Sequence, residues 1–360
     1  MRWLNWISLT ALMMSLLAPT TKAAPAPTKK SALAIVPVEA PIVLHVHGLK
    51  RTIDRVIAMV NNVDERSAKQ LRQFSRLVFE MPDGRTIEGL DPDGHIFLAF
   101  MKVPTGPAAL QELVIFAKTK DYTKFRDGLL LEDEAKTLTK KEGYEAAAIE
   151  FAEAIYFVKK DGYTAITPSE KLAKMLTQKY KGLDTRISKD QGSRLLKSDV
   201  AVYIALNQFA KTYAEEIKAA KEAVKVGLEE AIDALEGTPG QILKKMKDLI
   251  GPVFQMVEDS RGALLSLTFD PKALAIHIEA EMQTGSPTAK LLKTFSTGTL
   301  ASLGRMPKGQ MLYGGWQSNA QILNLFGSLI KDLGGENPAI NKGLQELSKA
   351  GPGEHAFSMN

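Results

Sequence analysis

Residues 42–61, IVLHVHGLKRTIDRVIAMVN, contain the change of period on which the whole chain is built. Ile42–His47 is a short apolar run with His45 and His47 two apart, the pattern of a strand whose alternate side chains share a face. After Gly48 the spacing changes. Ile53, Val56, Ile57 and Val60 recur three and four apart, which is one face of a helix. Leu71, Phe74, Leu77 and Val78 place a second helix over Arg66–Phe79. The turn Asp91-Pro92-Asp93-Gly94 then leads into strand His95–Lys102 (HIFLAFMK), with Glu112–Lys118 (ELVIFAK) as its neighbour and a short helix at Tyr122–Leu131.

The same order returns further along. Asp199–Leu206 (DVAVYIAL) is a strand, residues 207–236 and 241–259 are helices, and a Gly turn at Arg261-Gly262 precedes strands Ala263–Phe269 and Ala273–Met282 and a helix near Pro287–Phe295. A third start follows: Gln310–Gln317, two helical stretches, and a strand Glu354–Met359 that lacks a hairpin partner. Such a recurrence predicts an α+β fold with mainly antiparallel sheets packed on paired helices, built from pseudo-repeated β-α-α-β-β-α units. The expected division is a signal peptide 1–23, an extended linker 24–40, a first unit 41–198 with an inserted hairpin region 137–181, a second unit 199–309, and an incomplete third unit 310–360. In the insertion, Asp161-Gly162 supplies a hairpin turn and Ser169 an N-cap. Alternation in Ala273–Met282 sets Ile276, Ile278 and Met282 against His277, Glu279 and Glu281, so one face is expected under helices and the polar face in solvent. The stripe on helix 207–236 (Phe209, Tyr213, Ile217, Val224, Leu228) is expected to pack into the core.

The N-terminus carries an address. Arg2 precedes the uncharged run Ile7–Ala18, and Pro19 to Ala24 follows with small residues suited to cleavage after Ala23. Twelve residues of helix cover about 18 Å, short of a bilayer's hydrocarbon core at roughly 30 Å. Export to the periplasm or beyond is therefore expected, with no transmembrane segment after the signal is removed. Pro25, Pro27 and Pro37 mark the stretch behind it as extended.

Composition narrows the function classes. The 360 residues are 45% hydrophobic and 24% charged, with no Cys, so a disulfide framework, a thiolate metal site and a cysteine nucleophile are all excluded. A net charge of +5, or +3 once Arg2 and Lys22 are removed, does not suggest a nucleic-acid protein. Gly-x-Ser-x-Gly, P-loop and dinucleotide fingerprints are missing. The five histidines all fall on strands. His45 and His47 would meet His277, Glu279 and Glu281 only if their strands were neighbours, and no metal is assigned. Asp91 and Asp93 lack the rest of a calcium loop and read as a turn. Gly314-Gly315 reads as a bulge or close backbone approach. One basic surface stands out: Arg51, Arg55, Arg66, Lys69, Arg72 and Arg76 on the first helix pair, the candidate ligand-binding set.

The stretches APIVLHVHGL, DGYTAITPSEKL and DVAVYIALNQF resemble a diffuse group of uncharacterised secreted bacterial α+β repeat proteins, over most of residues 33–360. The resemblance implies the layout and carries no functional residue. No catalytic residue and no cofactor is assigned. The expected function is non-enzymatic binding or scaffolding in the cell envelope, with an envelope polymer or lipid as partner. The alternatives are a lipid-carrying protein, or a metal-dependent hydrolase using the His/Glu strand face.

Overall fold

The structure, a computed structural model, describes residues 31–79, 81, 83–104, 107–150, 152–234, 251, 254–293, 312–318 and 353–359. The fold is α+β. The chain forms two compact units, one made of Ala26–Phe209 with Gly262–Ile278, the other holding Ala210–Arg261 and Glu279–Asn360.

The first unit is built on a sheet whose strands are β1 (Ile42–His47), β2 (His95–Phe100), β3 (Leu113–Lys118), β4 (Thr139–Lys140), β5 (Glu145–Ile149), β6 (Ala152–Lys160), β7 (Tyr163–Thr167) and β8 (Val200–Ile204). Strands β9 (Ser260–Asp270) and β10 (Ala273–Met282) extend it and carry the chain from one unit into the other. The order is β10-β9-β8-β1-β2-β3-β7-β6-β5-β4. Outward from the antiparallel β1·β8 pair, β2-β3 on one side and β9-β10 on the other follow in chain order. The region 137–181 joins through β7, which pairs with β3. Its β6–β7 turn has Asp161 at φ 48° and Gly162 at φ 76°, the left-handed pair such a two-residue turn needs.

Helices α1 (Leu49–Asn61) and α2 (Glu65–Phe79) follow β1. Helices α3 (Tyr122–Gly128) and α4 (Glu132–Lys136) follow β3, and α5 (Glu170–Thr177) and α6 (Lys189–Lys197) precede β8. Ser169 caps α5 by accepting the Leu172 amide, and Ser188 caps α6 in the same way at Gln191. Helix α6 packs on β1 and β8, and α5 on β6 and β7. Under them lies the main core, in which Val43, Phe97, Phe116, Tyr203 and Leu264 from the sheet meet Leu176 and Leu195 from the helices. A smaller core of Phe125, Leu130, Phe157 and Ile166 occupies the opposite face, under α3, at the β3-β7-β6-β5 end.

Two expectations need correction here. From Ser31 on, the expected linker belongs to the fold: Ala32–Ile35 forms a 3-10 turn, and Leu33, Ile35, Val36 and Ala40 are buried in the main core. Apolar side chains with no regular period can still fill a core when a neighbouring loop pairs with them, as Val36 does by accepting the Leu183 amide. The turn at Arg261-Gly262 is absent because β9 runs straight through it. Glycine is required there for space, since a Cβ at 262 would lie 2.6 Å from the Tyr203 hydroxyl.

In the second unit, the stripe residues Ile217, Val224 and Leu228 of α8 (Ala214–Ala234), which follows α7 (Leu206–Thr212), are half-buried while most of their neighbours are exposed, and none is fully buried. Helix α9 (Pro287–Leu292) is fixed at its start by Asp259, whose carboxylate accepts the Thr288 amide at 2.8 Å. Strand β11 (Leu312–Ser318) pairs antiparallel with β12 (Gly353–Met359), the first and second strands of the expected third unit, as β1 pairs with β2. Their register runs unbroken through Gly314-Gly315, with no bulge. The expected helix over residues 241–250 lies outside the described residues.

Candidate functional site

The six basic residues divide into two groups. Helix α1 leaves Gly48 and runs across the ends of the strands: Thr52 Oγ1 donates to the backbone oxygens of His47 and Asp199, and Asn62 at its far end donates to the Pro271 carbonyl at 2.7 Å. This path presses Arg51 and Arg55 onto Asp199, whose side chain is fully buried. Arg55 Nη1 lies 3.0 Å from both carboxylate oxygens, and Arg51 Nε lies at 3.5 Å. The carboxylate also accepts the Phe269 amide at 2.8 Å. Arg51 and Arg55 are thus structural ties between α1, β8 and β9. The other four, Arg66, Lys69, Arg72 and Arg76, are exposed on α2. Lys69 pairs with Glu65 one turn away, and Arg72 donates to the Asn61 side chain.

The histidines gather differently from the sequence expectation. His277 lies on β10, separated from β1 by two strands, and pairs with Arg194 of α6. His95 takes its place beside His45 and His47, because β1 and β2 run antiparallel with His47 opposite His95. His45 Nε2 and His95 Nδ1 are 2.9 Å apart, and Arg51 Nη1 is 3.1 Å from the His47 ring nitrogens. His45 is fully buried, and its Nδ1 makes no hydrogen bond of normal geometry among the described residues. Burial, then the neighbouring His95 and His47, push its pKa down to about 3, while a backbone group of Leu195 pulls less strongly the other way. His95 falls to about 4, through burial and then His47, Arg51 and Lys118. His47 is lowered by burial and then by Arg51. Three imidazoles that resist protonation thus stand beside a guanidinium. Among the described residues, no group of three His, Asp or Glu is placed to hold a metal ion.

The histidine face is therefore the covered one, reversing the expected inside and outside of the sheet. The opposite face is the unusual one over β10-β9-β8-β1-β2-β3. Leu44 stands between Leu98 and Val202, and the row continues to Ile115 and Leu265; Val46 stands between Ile96 and Val200, with Leu267 beyond. Ile42, Phe100, Leu113 and Ile204 form a third row. These side chains are all apolar, yet none is fully buried. Towards the edge the exposure rises: Leu265 is 39% exposed, Leu274 44% and Ile276 60%. On β10 the polar partner set is the sheltered one, with His277 bonded to α6. With strands roughly 4.8 Å apart, this six-stranded area spans about 24 Å across the strands and about 14 Å along them. Sequence reasoning missed it, although part of the signal was present: Ile42, Leu44 and Val46 of β1 and Ile96, Leu98 and Phe100 of β2 are apolar on the face opposite the histidines, and β8 is apolar or aromatic in both registers, so a helix layer on the histidine face leaves these side chains uncovered by it.

No family model matches the chain, and neither does any curated protein. A solved structure, titled "Structure of crystal form I of TP0453", aligns over 76% of this chain and 86% of its own at 17% identity and TM-score 0.30. That superposition is too loose to carry an argument about fold or function.

Proposed function

We propose that the chain is an exported, non-enzymatic binding protein of the cell envelope whose ligand is an aliphatic chain, such as the acyl chain of a lipid, laid on the apolar half-face of the sheet. The observation that carries this reading is the face itself: three rows of aliphatic and aromatic side chains over neighbouring strands, without a polar side chain and without one fully buried member. A surface with no donor, acceptor or charge offers nothing to a sugar, nucleotide or peptide backbone. To hydrocarbon it offers roughly 0.8 kcal/mol for each methylene removed from water. Exposed apolar side chains gathered at one edge, Leu265, Leu274 and Ile276, with half-buried apolar rows behind them, are characteristic of a binding surface. Histidine chemistry supports the hydrolase alternative less well, because the imidazoles lie under the helix layer beside Arg51.

Displacement of a fluorescent fatty acid tests the reading. Saturable binding to the wild type is expected, lost in Leu265→Glu and Ile276→Glu, two exposed positions where a carboxylate keeps its water and the fold stands. Absence of binding, accompanied by a concentration-dependent dimer in light scattering, would show that a second copy covers the face instead.

A further inference from the structure

We infer that helices α1 and α2 form a docking surface for an anionic lipid bilayer, a step beyond the acyl-chain reading and independent of the sheet face. Three observations converge on α2. It packs along α1 with Leu71, Val78 and Phe79 half-buried, yet of its fifteen residues only Ala68 is fully buried, so its outer side is free among the described residues. Its apolar stripe is open to water: Phe74 is 64% exposed and Leu77 50%, with Val63 at the preceding turn 87% exposed. Basic side chains flank it on the exposed surface, with Arg66, Lys69, Arg72 and Arg76 following one another at spacings of three and four.

Charge identifies the occupant. Residues 49–79 hold seven Lys and Arg against three acids, nearly the whole excess of a chain whose net charge is +5. The acids in this segment are already engaged: Asp54 with Lys50, Glu65 with Lys69, and Asp64 with the α2 amides of Arg66 and Ser67. Arg51 and Arg55 are tied to Asp199. That leaves the guanidiniums of Arg66, Arg72 and Arg76 without an ion-pair partner among the described residues, on the same helix as an exposed phenylalanine. A polyanionic sugar chain would satisfy the arginines and leave Phe74 and Leu77 in water. An anionic bilayer satisfies both, phosphate for the guanidiniums and acyl boundary for the apolar stripe. The anchoring of α1 on Asp199 and Pro271 holds the pair as a rigid foot.

Vesicle flotation tests this with the chain as recovered after export. Vesicles of phosphatidylglycerol and phosphatidylcholine in equal parts are compared with phosphatidylcholine alone, at low and physiological salt. Binding to the anionic vesicles is expected, weakened by salt. Triple replacement of Arg66, Arg72 and Arg76 by Gln lowers the partition coefficient on the order of a hundredfold, since each basic side chain near such a surface is worth about fivefold. Phe74→Ser with Leu77→Ser lowers binding as well while leaving circular dichroism unchanged, because both side chains are already in water. Equal binding to the two vesicle types, no binding to either, or binding indifferent to the arginines overturns the inference. Fatty-acid displacement on the same variants keeps the two readings apart, since the arginine variant retains the acyl site if that site is real, and vesicle binding survives if it is not.

Discussion

Lowering the pH from 7 to 5 should destabilise the first unit through His45, by an amount that can be worked out. Unfolded, the imidazole has its ordinary pKa near 6.5; folded, burial holds it at about 3. The folded state binds the proton less well, so protons favour the unfolded chain, and stability present above pH 6.5 is lost progressively as the pH falls towards 3. With those two values, His45 alone removes roughly 2 kcal/mol between pH 7 and pH 5. His95 acts in the same direction, with a smaller share because its ring is partly solvated. Urea unfolding followed by circular dichroism at pH 7, 6 and 5 measures the loss, and His45→Leu provides the control. A leucine beside Phe97 fits the apolar surroundings and cannot titrate, so the variant's stability should vary with pH by about 2 kcal/mol less than the wild type's over the same interval. The carboxylates titrate alike in both proteins and cancel. An NMR titration in which the His45 ring stays neutral down to pH 5 would agree. Identical pH dependence of wild type and variant would refute the placement of His45 in the covered layer.

Other expectations follow from particular contacts. Glu134 and Arg85, both nearly buried, form a two-pronged ion pair at 2.6 and 2.8 Å that holds the Glu134 carboxyl down to about 2. Glu134→Gln takes the buried carboxylate from a guanidinium that keeps half-exposed Asp83 and the Leu129 carbonyl, and should destabilise by roughly 3 kcal/mol in denaturant unfolding, part of which a second change, Arg85→Met, restores. Gly262→Ala drives a methyl group against the buried Tyr203 hydroxyl and should cost about 1–3 kcal/mol. The same change in a Tyr203→Leu background, which removes the ring carbons at 2.8 and 2.9 Å as well as the hydroxyl, should cost measurably less, and equal cost in both backgrounds would remove the steric explanation.

Much of the architecture was legible in the residues. Strands β1 to β3 and β5 to β10 fall where apolar runs and alternation place them, the Asp161-Gly162 turn adopts the left-handed pair its residues favour, and Ser169 caps its helix. What failed was the assignment of faces. Alternation separates His277 and Glu279 from Ile276 and Ile278, but which set is sheltered depends on where the helices land. Helix α6 lands on the histidine side because Leu195 meets Val43 and Tyr203 there. Buried His45 looked like a solvent residue because imidazole is polar; Phe97 and His95 make its surroundings tolerable only in the neutral form. Asp199, the hub of the α1 anchoring, gave no local signal, since its partners Arg55 and Phe269 lie 144 and 70 residues away.

Native mass spectrometry of the full chain as purified from the cells that express it, followed by solvent extraction of the same sample, bears most directly on the acyl-chain reading. A mass excess released as fatty acid or phospholipid, present in the wild type and absent from Leu265→Glu, is the predicted result. A wild-type mass equal to the bare polypeptide, with no lipid in the extract and no uptake of added fatty acid, would contradict it.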